Sequence, residues 1–142
     1  SHRGRIFTWA QKEYKNLHAM KAAGAQVPKP YHVHKNMVVM QYIGWRYKPY
    51  PPIKEVPPKD PNNFLRMLIE SIKAYRSKKL SHGDLSEYNI LNVREKPYII
   101  DVGQTVSEGH PMYDELHERD MKNMYRYWRK HVRNLKREEF HI

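Results

Sequence analysis

Four polar side chains, His82, Asp84, Asn89 and Asp101, stand in the stretch "LSHGDLSEYNILNVREKPYIIDVGQTV". Asp101 and Asn89 offer hard oxygen ligands suited to Mg²⁺, an ion that completes its shell with water and substrate phosphates. Asp84 is then left to orient or deprotonate an attacking hydroxyl or water. Each residue also has a structural reading. Asp84 and Asp101 can cap a turn through the backbone, Asn89 can form one, and His82 reads foremost as a structural histidine bonded to backbone. Singly these signals are weak, whereas the ordered set of Asp84, Asn89 and Asp101 around one hairpin is a strong signal.

The elements that must position them follow from local pattern. Strands are expected at Ile90 to Val93 and Tyr98 to Val102, turning at Glu95, Lys96 and Pro97. Asp84 then lies in the loop after a helix, Asn89 where the first strand begins, and Asp101 on the returning strand, so that all three reach one rim. The preceding helix begins at Asn62 or Asn63. Its apolar face is Phe64, Leu65, Leu68, Ile69, Ile72 and Tyr75, and Lys73, Arg76, Lys78 and Lys79 suit its negative end. A later helix is expected from Pro111, with Asp114, Glu115 and Glu118 early and Arg126, Arg129, Lys130 and Arg133 late. Its buried stripe would be Leu116, Met124, Tyr127 and Trp128.

Upstream, Trp9, Ala10, Tyr14, Leu17 and Met20 recur at helical steps over Phe7 to Ala23, and Gly24 stops the helix. A strand at Tyr31 to Val33 turns at Lys35 and Asn36 into Met37 to Tyr42. Six prolines between Gly44 and Pro61 require an extended or turned path that could link two lobes. The pattern as a whole is α+β.

The chain has 142 residues, enough for one domain with a core, and no cysteine, which removes disulfides and thiolate metal sites. No apolar run approaches the ~18 residues needed to cross a bilayer, and the opening residues lack a secretory pattern. The expectation is a soluble, cytoplasmic protein without a membrane partner. The net charge is +11, which favours phosphate-bearing partners. Residues 1–48 carry nine Lys and Arg against Glu13 alone, and residues 121–137 carry seven against no acid. Solvated surface charge is the plain alternative.

"SHGDLSEYNIL" followed by "YIIDVGQTV" resembles the catalytic loop and metal-binding strand of the RIO-type atypical protein kinases, and is most similar to their first branch. The resemblance implies a kinase-like fold with a partial N-lobe (1–44) and a reduced helical C-lobe (45–142). It implies ATP and Mg²⁺ as cofactors, Asp84 as the catalytic-loop aspartate, and Asn89 and Asp101 as metal ligands. Asp101 would correspond to the kinase D-F-G aspartate, which in this family is also associated with a phosphoaspartate. Ser86 and Glu87 belong to the nucleotide-site signature, with Tyr88 packed beneath it. "WAQKEYKNL" resembles the family's helix C, whose glutamate would be Glu13. "VPKPYHVHKNMVVMQYIG" resembles the strands and hinge that follow, where Met40, Gln41, Tyr42 and Ile43 would border adenine. Backbone groups at Gln41 and Ile43 could bond the base. "HPMYDELHERDMKN" extends the likeness, which covers roughly residues 6 to 130.

The chain departs from the pattern at its start, where no glycine-rich strand pair or strand lysine precedes helix C. The expectation is an N-terminally incomplete piece of a longer protein, with natural truncation as the alternative. Implied partners are a pre-ribosomal particle or rRNA, with a protein substrate possible. The rival reading is a non-catalytic RNA- or ribosome-binding module using Arg126, Arg129, Lys130, Arg133, Lys136 and Arg137 with Tyr125 and Trp128 interleaved.

Overall fold

A computed structural model describes the backbone of residues 2–142 and the side chains of residues 9–142. Helix α1 (His2–Ala23) ends at Gly24, whose φ of +97° is freely accessible only to glycine. It begins before Phe7, where the apolar period starts. Leu17 and Met20 are buried, as the period requires, but Trp9 is 73% exposed.

Strands β1 (Pro30–His34) and β2 (Met37–Met40) form an antiparallel pair whose turn places Lys35 at positive φ. The second strand stops at Met40, short of the expected Tyr42. The prolines downstream do enforce an extended path, yet the segment is not free. It first forms a small hairpin, β3 (Gly44–Trp45) with β4 (Lys48–Pro49). Residues 51–53 then run antiparallel to a later strand and bury Ile53 completely.

Helix α2 (Pro61–Ser77) starts just before the expected Asn62 or Asn63, taking in the last proline of the extended stretch. The Asp60 carboxylate accepts the Asn63 N–H at 3.2 Å, and Pro61 occupies a first-turn position that needs no N–H. Phe64, Leu65, Leu68, Ile72 and Tyr75 are buried on one face. Short β5 (Leu80–Ser81) pairs with β8 (Val106–Ser107), and between them lies the hairpin β6 (Ile90–Val93) with β7 (Lys96–Ile99).

The hairpin turns at Arg94 and Glu95, both at positive φ, so Val93 faces Lys96 directly; β7 begins earlier than the expected Tyr98 and ends at Ile99 rather than Val102, which leaves Asp101 just beyond the strand instead of on it. Pro97 therefore lies inside the strand, opposite Asn92. It is tolerated because Asn92 and Pro97 form a non-hydrogen-bonded pair: the Asn92 N–H points outward, to the Pro51 carbonyl at 2.8 Å, its carbonyl points the same way, and the ladder needs no N–H from Pro97.

Helix α3 (Tyr113–Trp128) begins two residues after Pro111 and ends before Arg129, so Arg126 alone of the four expected bases lies within it. The Trp128 carbonyl takes the N–H groups of His131 and Val132, closing the last turn. Its buried face is wider than expected: Tyr113, His117, Asp120 and Met121 join Met124, Tyr127 and Trp128, while Leu116 is only half-buried. A short 3₁₀ turn (Arg137–Phe140) folds Phe140 back onto α3. One continuous core runs from Leu17 and Met20 through α2 and the hairpin to Trp128. No helix among the described residues is long and apolar enough to cross a membrane.

Candidate active site

The loop between β5 and β6 carries Asp84, and its course is set by buried polar groups on three sides. Gly83 adopts φ +91°, and a Cβ there would meet the Gln104 carbonyl oxygen at 2.6 Å, so only glycine fits. The Asp120 carboxylate, fully buried on α3, accepts the N–H groups of Gly83 at 2.8 Å and Leu85 at 2.9 Å. These two bonds bracket Asp84 and present its side chain to solvent. Burial pushes the Asp120 carboxyl up, opposed by the Leu85 N–H and by neighbouring His82.

His82 is the third support. Its ring is buried; Nε2 bonds the Ile100 carbonyl at 3.0 Å, and Nδ1 accepts the Asp84 N–H at 3.1 Å. Those roles require the neutral tautomer protonated at Nε2, consistent with burial holding the imidazole below its ordinary range. The histidine thus joins the Asp84 loop to the strand leading to Asp101, as its structural reading anticipated.

Asn89 closes the other side. Its Nδ2 donates to the Asp84 carbonyl at 2.7 Å and to Asp84 Oδ2 at 3.2 Å, which leaves its Oδ1 available as a ligand. The Ile100 N–H reaches the Asn89 carbonyl at 2.9 Å, setting Asp101 one residue beyond. Asp101 is exposed and held at φ +55°, a conformation costly for a residue with a side chain and concentrated at functional sites.

Helix α1 approaches from above. Asn16 Nδ2 donates to the carbonyls of Val102 at 2.9 Å and Thr105 at 3.3 Å, fixing the segment after Asp101. Glu13 sits over the same segment, its Oε2 only 2.9 Å from where a Gly103 Cβ would lie. Burial and the charge of Asp101 push the Glu13 carboxyl up, partly offset by the Val102 N–H. Glu13, Asp84 and Asp101 have no ion-pair partner among the described residues. A strongly basic chain therefore keeps an uncompensated acidic patch at this point.

Not every expected site residue converges there. Ser86 shapes the loop, its carbonyl accepting the Asn89 N–H at 3.0 Å. Glu87 turns into the protein and pairs with Arg126 at 2.7 Å. Burial pushes its carboxyl up, but the Arg126 bond and charge outweigh that and hold it below the ordinary range. Tyr88 is 61% exposed rather than packed beneath the loop, while the strap at residues 51–54 pairs along the hairpin's flank. Met40, Gln41, Tyr42 and Ile43 lie on the segment joining β2 to β3. The Gln41 N–H bonds the Lys29 carbonyl and the Ile43 carbonyl accepts from Tyr50. The Gln41 carbonyl and the Ile43 N–H have no backbone partner among the described residues. Trp128, assigned to stacking in the rival reading, is fully buried, so that part of the reading fails.

Asp120 and Asn16 were not singled out as functional residues. Asp120 follows an arginine on a helix of ordinary amphipathic pattern, and Asn16 looks like one more polar residue on α1. Only the tertiary contacts distinguish them. The donor set nonetheless fits a hard cation in chemistry: one free amide oxygen, one exposed carboxylate and excess negative charge. No cluster of three or more His, Cys, Asp or Glu side chains encloses a metal among the described residues, so most of the ion's shell would come from water and phosphate.

A sequence profile described as the RIO domain matches residues 1–140. The RIO-type serine/threonine-protein kinase Rio1 of Thermoplasma acidophilum is 39% identical over 87% of this chain and 64% of its own length. Its counterpart from Methanocaldococcus jannaschii is 35% identical over 92% of this chain and 45% of its own. The chain thus spans less than two thirds of these relatives. The crystal structure of the Rio2 kinase-ADP/Mg²⁺-phosphoaspartate complex from Chaetomium thermophilum superposes with a TM-score of 0.75 at 27% identity, covering 92% of this chain and 42% of that one. The α+β fold is protein-kinase-like, and the chain belongs to the RIO-type atypical kinase family.

Proposed function

We propose that the protein carries out Mg²⁺-dependent phosphoryl transfer from ATP, either to a serine hydroxyl or to water by way of a phosphorylated Asp101. The observation that carries this reading is the contact of Asp84 with Asn89 beside a strained, exposed Asp101, in an acidic patch without an ion-pair partner among the described residues. When bound, Mg²⁺ supplies charge neutralisation for the phosphates. Asn89 Oδ1 and the Asp101 carboxylate would be the residues that hold it. Asp84, held by His82 and Asp120, orients the incoming hydroxyl or water. In the hydrolytic route the Asp101 carboxylate would attack the γ-phosphorus of ATP as its bond to the ADP oxygen breaks, and water would then cleave the acyl phosphate to inorganic phosphate and the free carboxylate. The likeness to a structure described as an ADP/Mg²⁺-phosphoaspartate complex supports that route.

Adenine would lie against Met40, Gln41, Tyr42 and Ile43, where a free carbonyl and a free N–H two residues apart match a base edge. Ser86 and Glu87 support the nucleotide site through the loop's shape. Residues 1–44 then act as a partial N-lobe and residues 45–142 as the C-lobe. The glycine-rich loop and lysine clamp would have to come from outside the described segment. Identity of 39% to a Rio1 protein, against 27% for the Rio2 structure, supports the first branch. From the family we infer a role in small-subunit maturation, with a pre-ribosomal particle or rRNA as partner, and a cytoplasmic site of action.

The test is Mg-ATP turnover by the natural full-length protein beside its Asp84→Asn and Asp101→Asn variants. Turnover lost in both, with the fold intact, supports the reading. Equal turnover in all three contradicts it.

A further inference from the structure

The β3–β4 hairpin displays two aromatic residues that the fold does not use. Its tip, Trp45-Arg46-Tyr47-Lys48, turns with Arg46 at φ +57°. Tyr47 is 99% exposed and Trp45 59% exposed. An aromatic ring left in water gains nothing for the folded state, since burying it elsewhere would contribute a few kcal/mol. The Trp45 ring is approached by two guanidinium groups, Arg46 at 5.7 Å and Arg94 of the β6–β7 turn at 5.2 Å. The strap continues from this hairpin along β6 to Lys54, whose ammonium lies 5.9 Å from the ring of exposed Tyr88, next to Asn89.

None of Arg46, Lys48, Lys54 or Arg94 has a carboxylate partner among the described residues. Glu95, the nearest acid in sequence to Arg94, is engaged elsewhere: it accepts the Asp60 N–H at 2.9 Å and the Asn92 amide at 3.4 Å. The strap itself carries no acid, and Glu55 follows it directly. The result is a line of exposed aromatic rings, with cations that lack a carboxylate partner among the described residues lying over Trp45 and Tyr88. A protein partner would be better served by an apolar hollow, which this hairpin does not offer. Unstacked bases linked by phosphates match it in both shape and charge.

We propose that Trp45 and Tyr47, flanked by Arg46 and Arg94, form a stacking surface for single-stranded RNA that leads along the strap toward Tyr88 and the active-site rim. The choice of RNA rests on the ribosomal reading above; the stacking geometry does not.

The experiment measures binding of a labelled single-stranded oligouridylate of about ten nucleotides, and of an RNA duplex of equal length, by fluorescence anisotropy. Trp45→Ala/Tyr47→Ala keeps every charge and is expected to weaken single-strand binding roughly 30-fold, from about one stacked base lost per residue. Trp45→Phe/Tyr47→Phe retains flat rings and is expected to stay within about threefold of the wild type. Equal binding by the alanine and wild-type proteins overturns the proposal. So does a preference for duplex, or absence of RNA binding in the wild type. Mg-ATP turnover is followed on the same samples. Loss of aromatic dependence with turnover intact removes the stacking surface alone, whereas aromatic-dependent binding without turnover supports the surface and removes the kinase reading.

Discussion

The β6–β7 hairpin and the β1–β2 pair are both four- or five-residue antiparallel ribbons, yet the molecule treats them oppositely. The first is enclosed: Ile90, Leu91, Asn92 and Ile99 are buried, the strap covers one edge, and Gln26 bonds the other through the Ile99 N–H at 2.8 Å. The second stands open, with Tyr31, Met37, Val39 and Met40 all exposed. Residues that would do chemistry are attached to the enclosed ribbon, and residues that would recognise a base follow the open one. The contrast suggests rigid positioning where phosphoryl transfer demands it, and a more permissive surface where a flat ring must enter and leave.

Substitutions can break or sharpen that contrast. The largest effect is expected from Asp101→Asn, which retains the shape but weakens the metal ligand; turnover should fall about a hundred- to a thousandfold, checked by phosphate release. Thermal melting should change little.

Asp120→Ala should do the reverse and lower stability first. It leaves the Gly83 and Leu85 N–H groups buried without acceptors, which costs about 3 kcal/mol, measurable by urea denaturation. Recovery of a wild-type midpoint would mean that the enclosed region does not depend on this buried carboxylate.

Acid should also act on the enclosed side. Burial and the nearby Arg76 push buried His117 down to about 4. Its native state therefore resists protonation that the unfolded chain accepts below the ordinary histidine value near 6.5. The resulting stability is fully present above about pH 6.5, declines as pH falls toward 4, and amounts to roughly 1–2 kcal/mol after allowance for partial exposure. Denaturation midpoints between pH 7 and 4 should flatten in His117→Gln. At the small end, Tyr42→Ala should shift stability by less than about 0.5 kcal/mol while weakening nucleotide binding, read by titration with Mg-ATP.

Much of this arrangement was legible before any coordinates. Phe64 to Tyr75 announced α2 because its apolar period is clean, whereas the Asp60-Pro61 start emerges only from the structure. The ordered trio of Asp84, Asn89 and Asp101 was legible because few loops combine those residue types at such spacing. The displaced start of β7 was not, because Pro97 argues against a strand unless its partner's N–H is known to point away. The buried face of α3 was read too narrowly because His117 and Asp120 look polar, and nothing local shows that Asp120 is satisfied by two backbone groups 35 and 37 residues upstream. The exposure of Trp9 and Tyr88 was equally hidden, since an aromatic residue at a regular spacing reads as core whether or not a surface exists to receive it.

The central claim is that Asp101, displayed by the enclosed hairpin, is the residue on which phosphoryl chemistry converges. The most direct test incubates natural full-length protein with Mg²⁺ and γ-labelled ATP, then follows protein-bound phosphate before and after hydroxylamine, which cleaves acyl phosphates and spares phosphoserine. The account predicts label that depends on Asp101, either as a hydroxylamine-sensitive adduct on that residue or as phosphoserine that disappears with Asp101→Asn. Undiminished labelling in Asp101→Asn, or no labelling and no ATP consumption in the wild type, would contradict it.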